Sequence, residues 1–170
     1  YPEAKLYGTA RHHAKLPELP WEKEKSEDTA LHDLFASDLD FSVPRGVDFI
    51  PSNERLHFAS VLAIHRPSQT LHVDDTLTYV KLPGPLRLIK RDWLAFHMTL
   101  PQVLERRRGA VADFREWAHD LIARCGEVRT LCAAHDAVLK SDEGQTTAAR
   151  IETALAAVDS KLAAHERRHG

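Results

Sequence analysis

Val111, Phe114, Trp117, Ala118, Leu121, Ile122 and Cys125 recur at the i, i+3, i+4, i+7 spacing of a helix that buries one stripe, and Gly126 stands where such a helix would end. Ile151, Leu155, Val158 and Leu162 repeat the pattern behind Thr146 or Thr147 as N-cap, which predicts the longest helix of the chain. Ser26, followed by Glu27 and Asp28, predicts a shorter helix from Ser26 to Ser37, because carboxylates favour the positive end of the helix dipole. Leu31, Leu34 and Phe35 would form its buried face.

Elsewhere the period changes. His57-Phe58-Ala59-Ser60-Val61-Leu62-Ala63-Ile64 is almost unbroken apolar, as expected of a strand covered on both faces. Arg66-Pro67-Ser68-Gln69 reads as a turn, and Thr70 to Val73 as the returning strand, which runs into Asp74-Asp75. Shorter strands are expected at Lys5 to Gly8, Val47 to Ile50 and Glu127 to Ala133, with Arg11, His12, His13, Pro17 and Pro20 in a loop. Residues 78 to 108, interrupted by Pro83, Gly84, Pro85 and Pro101, read as an excursion packed on the core. The order strand, helix, strands, excursion, helix, strand, helix predicts a layered α/β architecture.

Composition narrows the picture. A chain of 170 residues, 43% hydrophobic and 28% charged, has the balance of one folded domain spanning residues 1–170. Its net charge of −2, with no long run of either sign, argues against nucleic acid as a partner. No apolar stretch reaches bilayer-spanning length and no secretory leader opens the chain, so no membrane association and a cytoplasmic location are expected. The start at Tyr1, already strand-like, suggests a chain entered in mid-domain. Cys125 and Cys132 lack Cys-x-x-Cys spacing and fall on apolar faces, so buried thiols are expected rather than a redox pair.

Histidine is the unusual residue: there are 11, against 6 Phe, 3 Tyr and 3 Trp. His57 opens the apolar run, Asp75 closes the next strand and His135 stands just past a later one, so the three would meet at one sheet edge. Each has an ordinary alternative, a hydrogen-bonded structural imidazole or a turn-forming carboxylate. His65 and His72 are expected as exposed partners across the hairpin, His97 as a satisfied core residue, and Arg106 to Arg108 as a solvated loop. His12 and His13, beside Arg11, read as solvated, with contact to a substrate anion as the minor alternative. Asp74 either orients a ligand or closes the turn.

In context, His57 to Leu62 followed by Pro67-Ser68-Gln69-Thr70-Leu71-His72-Val73-Asp74-Asp75-Thr76-Leu77 resembles the metallo-β-lactamase superfamily. There a ligand histidine opens a strand, a hairpin follows, and a Gly-Asp-Thr-Leu segment places a metal-bridging aspartate. Thr130 to His135 resembles the strand leading to the last ligand histidine, and Tyr1 to His13 the segment after the first ligand cluster. The chain departs from the pattern in having Asp74 for Gly, Phe58-Ala59-Ser60 for Thr-Pro-Gly and Ala134 for a common Gly. The signature His-x-His-x-Asp-His is absent from the 170 residues.

The resemblance implies a sheet-and-helix sandwich like the second half of the αββα fold, within a larger domain. It further implies a metal-dependent hydrolase acting on a small molecule, with His57, Asp75 and His135 as metal ligands and Asp75 also catalytic. Two zinc or other divalent ions would occupy a complete site, while this chain alone would bind metal weakly or not at all, since a catalytic zinc needs about three protein ligands. Glu54 and Asp136 would accept hydrogen bonds from the ligand imidazoles. The alternative is a degenerate, metal-free module serving protein assembly, and a homo-oligomer fits either reading.

Overall fold

A computed structural model describes residues 3–53, 55–80, 93–134, 137–142 and 144–170. Along the chain the elements are α1 (Ala10–Lys15), α2 (Thr29–Leu34), β1 (Leu39–Ser42), β2 (Leu62–His65), β3 (Thr70–His72) and β4 (Leu77–Val80). They continue as β5 (Trp93–Phe96), α3 (Leu100–Val103), α4 (Ala110–Arg124), β6 (Thr130–Ala133), β7 (Ala137–Lys140) and α5 (Thr147–His169). Five strands form one sheet in the order β1-β2-β3-β6-β7, and β4 pairs with β5 in a second sheet. The class is mixed α/β.

Alternation along the central strands sets the core. Leu62 and Ile64 of β2, Leu71 of β3 and Leu131 of β6 are buried, and the antiparallel register places Ile64 opposite Leu71. The expected turn at Arg66 to Gln69 joins these two strands, with Gln69 at φ +51°. The pairing of β3 with β6 is parallel, so the chain must cross over between them, and β4, β5, α3 and α4 lie in that connection.

Helix α4 supplies the opposing layer. Val111, Phe114, Trp117, Ala118 and Leu121 are all buried, as their spacing predicts. Phe114 stands at the centre of an aromatic cluster, with ring centroids 5.3 Å from Phe96, 5.4 Å from Trp117 and 6.3 Å from Phe58. The Trp117 indole N–H, which would be costly to bury unpaired, donates to Ser42 Oγ at 2.9 Å and ties α4 to β1. Arg124 at the other end of α4 binds the Asp40 carboxylate and donates to the Phe41 carbonyl at 2.7 Å. Helix α5 lies against α4 and β5, burying Ile151, Leu155, Val158 and Leu162. Thr146 is its N-cap, its side chain accepting from Ala149 N–H.

Close backbone approach constrains the chain at Gly46. It has φ +72°, and a Cβ there would stand 2.0 Å from the Ala110 carbonyl at the start of α4. Only glycine fits.

Several expected elements differ. The strand foreseen from His57 shrinks to Leu62–His65, because residues ahead of it bond to a side chain instead of a neighbouring strand. The helix foreseen from Ser26 starts at Thr29, since Asp28 turns its carboxylate back to the Lys25 N–H at 3.0 Å and makes no cap bond. Leu34 is 60% exposed instead of buried. Lys5 to Gly8 contributes only the Leu6–Trp21 bridge, and Val47 a bridge to Leu104. The C-cap of α4 is Cys125, with Gly126 beyond it. Strand β6 begins at Thr130, not at Glu127, and β7 was not foreseen. Among the described residues, no helix is long and apolar enough to cross a membrane.

Because Phe114 joins three other aromatic rings and is fully buried, Phe114→Ala should lower stability by about 3–5 kcal/mol in urea denaturation.

Candidate functional site

Thr76 follows Asp74-Asp75 and is 0% exposed. A buried hydroxyl needs partners for its proton and its lone pairs, and Thr76 finds all of them in the segment ahead of β2. Its Oγ1 donates to the Phe58 carbonyl at 2.7 Å and accepts from the Ser60 N–H at 3.2 Å. Ser60 Oγ lies 2.9 Å away, and since the threonine proton is already committed to Phe58, the serine hydroxyl must donate. One side chain thus pins residues 58–60 against residues 74–76.

The clamp joins the chain neighbours of two predicted ligands. His57 precedes the clamped Phe58, Asp75 precedes the clamping Thr76, and both line one cleft of about 510 Å³. His57 is exposed and lies in an irregular segment, not at a strand start. Asp75 is half-buried, and Asp74, also lining the cleft, is exposed. The Asp74 carbonyl accepts from Leu77 N–H at 3.3 Å, the turn-closing role foreseen for this residue.

The parallel strands bear on the third position. His72 stands opposite Cys132, and Val73 N–H donates to the Cys132 carbonyl at 2.9 Å, so β3 and β6 leave the sheet along the same edge. Asp74-Asp75 follows the first strand and Ala134 the second. His135, Glu54 and Asp136 lie outside the described residues. Among the described residues, no three His, Cys, Asp or Glu side chains form a group suited to a metal ion.

The first segment, read from sequence as a loop, instead forms α1 and gives the cleft another wall. Thr9 and His12 make a reciprocal capping box: Thr9 Oγ1 accepts from His12 N–H at 3.4 Å, and His12 Nδ1 accepts from Thr9 N–H at 3.1 Å. His13 stacks on Trp21 with centroids 5.2 Å apart. Arg11 and Lys15, four residues apart on this helix, both line the cleft. The signal for this wall was the Thr9-to-His12 spacing, with imidazole standing where a capping box usually has Glu or Gln.

The remaining histidines have local roles. His65 Nδ1 lies 2.7 Å from Ser68 Oγ, and the register sets His65 opposite Thr70 and His72 opposite Ala63, so the two are not cross-strand partners. His97 is satisfied by Thr99 Oγ1 at 2.8 Å but only half-buried. His165-Glu166-Arg167-Arg168-His169 has the His-Glu-x-x-His spacing of a helical metal motif. Here His165 Nε2 lies 3.0 Å from the Glu105 carbonyl, and Glu166 pairs with Arg115 at 3.5 Å. These contacts fasten the end of α5.

Comparison with family models, curated proteins and solved structures found no match to this chain.

The clamp and the thiols can each be tested. Thr76→Val strands the Ser60 donors and the Phe58 carbonyl, and should cost about 1–3 kcal/mol in denaturation, whereas Thr76→Ser, keeping the hydroxyl, should cost less than about 1 kcal/mol. Cys125 and Cys132 are both free, and burial pushes the Cys125 thiol up from about 9 to about 12. The folded state thus favours the neutral thiol. Its stabilising contribution is complete below pH 9 and is lost as pH rises towards 12, so native protein at pH 8 should react with a thiol reagent at the half-buried Cys132 well before Cys125.

Proposed function

We propose that the cleft containing His57 and Asp75 is part of the divalent-metal site of a small-molecule hydrolase of the metallo-β-lactamase class. The observation that carries this reading is the Thr76 clamp, through which an imidazole and a carboxylate from separate segments line one cleft. Support also comes from the shared edge where β3 and β6 end, because the candidate positions Asp75 and His135 follow those strands in sequence.

In this reading Asp75, His57 and His135 would be among the residues that hold the metal. A complete two-metal site would need further nitrogen ligands, since the His-x-His-x-Asp-His signature is absent from these 170 residues. When bound, the ions would lower the pKa of a water enough to supply hydroxide at neutral pH and would polarise a carbonyl or phosphoryl oxygen. The chain's own part is to hold neutral imidazoles and an ionised carboxylate at fixed positions. Metal binding at such ligands releases protons, so metal affinity should fall as the solution is made more acidic. The cleft is of a size that suits a small-molecule substrate.

The test is the metal content, by elemental analysis, of protein expressed from its complete reading frame and loaded with zinc. About two ions per chain are expected, with Asp75→Asn losing both and His57→Ala or His135→Ala losing at least one. A wild-type protein that retains no zinc, or variants that retain the full complement, would contradict the proposal. The first result would favour a metal-free assembly module.

A further inference from the structure

We infer that the segment 105–109 and the last turns of α5 form a binding site of their own, one that takes a small anion bearing two linked phosphate groups. Arg106 and Arg108 come from the segment, Arg167 and Arg168 from the helix, and all four are exposed. Arg108 and Arg167 line a shallow concavity of about 490 Å³ that shares no lining residue with the cleft of His57 and Asp75. Arg106 and Arg168 both act electrostatically on His169, which places a second pair of guanidinium groups on the same two elements.

What marks the cluster is positive charge without a local counter-charge. Among the described residues, none of the four arginine side chains makes an ion pair or a hydrogen bond. The carboxylates nearest to them in sequence are taken by other cations: Glu105 and Asp113 both by Arg107 at 2.6 Å, and Glu166 by Arg115 at 3.5 Å. His169 reports the same imbalance. Desolvation, His165, Arg106 and Arg168 all hold its pKa below the ordinary histidine range, and among the described residues no carboxylate offsets them.

The two elements are fastened together without any ligand. His165 Nε2 donates to the Glu105 carbonyl at 3.0 Å, and the Glu105 N–H donates to the Gly46 carbonyl at 3.1 Å. Gly109, Ala163 and Gly170, all small, leave the space beside Arg108 and Arg167 open. Guanidinium groups favour phosphate because their planar fork makes paired hydrogen bonds to its oxygens. A single carboxylate would serve one arginine, whereas a diphosphate carries enough oxygens for both pairs.

The test reads this patch directly and does not depend on metal at the cleft. Protein freed of metal by chelator and dialysis is titrated with pyrophosphate, inorganic phosphate, ADP and adenosine, and the ring signals of His165 and His169 are followed by NMR. Pyrophosphate should bind saturably, about tenfold more tightly than phosphate, and should raise the pKa of His169 by offsetting the cations that depress it. Adenosine should not bind. ADP binding at least as tightly as pyrophosphate would identify a nucleotide as the source of the diphosphate, and weaker binding the free anion.

Arg106→Gln, Arg108→Gln, Arg167→Gln and Arg168→Gln should each weaken pyrophosphate binding about threefold. Arg129→Gln, which removes an exposed charge beside Gln69 instead, should leave it unchanged. Arg108→Lys should lose less affinity than Arg108→Gln, which separates loss of charge from loss of fold. An unmoved His169, wild-type affinity in all four variants, or equal weakening in Arg129→Gln would overturn the inference.

Discussion

A single buried hydroxyl organises the candidate site. An unpaired polar atom at Thr76 would be costly to bury, and the partners it finds are the Phe58 carbonyl and the N–H and hydroxyl of Ser60. Those bonds replace the strand ladder that residues 57–61 would otherwise need. They also tie the segment leaving β3 to the one leading into β2, just beyond the antiparallel pairing of the two strands. Next to that link, His57 and Asp75 line one cleft.

The scaffold around it is held by apolar packing and by a few polar ties at its margins. Phe114 and Trp117 fill the space beneath the sheet, while Ser42 and Asp40 receive the Trp117 indole and the Arg124 guanidinium. Gly46 lets the chain pass against the start of α4. At the far end of α5, His165 and Glu166 attach the helix to Glu105 and Arg115, which explains a metal-like motif in structural terms. The cleft is lined mostly by irregular segments at 49–50, 56–61 and 74–75, with α1 as a capped wall.

How much of this could be read from the chain varied with the strength of the local pattern. Helices α4 and α5 were legible because a one-sided apolar stripe at 3.6-residue period fits a strand or a loop poorly. The turn at Arg66 to Gln69 was legible because proline and polar residues interrupt two apolar runs. The run from His57 was over-read as strand. Apolar residues without alternation are equally compatible with an extended segment held by Thr76. Helix α1 was missed because His12 takes the capping role of Glu or Gln, and with it went the common face of Arg11 and Lys15. At the site, His57 and Asp75 do line one cleft, whereas the contribution of α1 to that cleft was not legible.

The most direct measurement of the clamp is amide hydrogen exchange at Ser60. This residue lies outside every strand, so its N–H has no ladder partner, and any protection must come from Thr76 Oγ1. Slow exchange is expected at Ser60 in the wild-type protein, lost in Thr76→Val while the amides of β2 and β3 stay protected. Rapid exchange at Ser60 in the wild type would contradict the clamp, and with it the support for a site at His57 and Asp75.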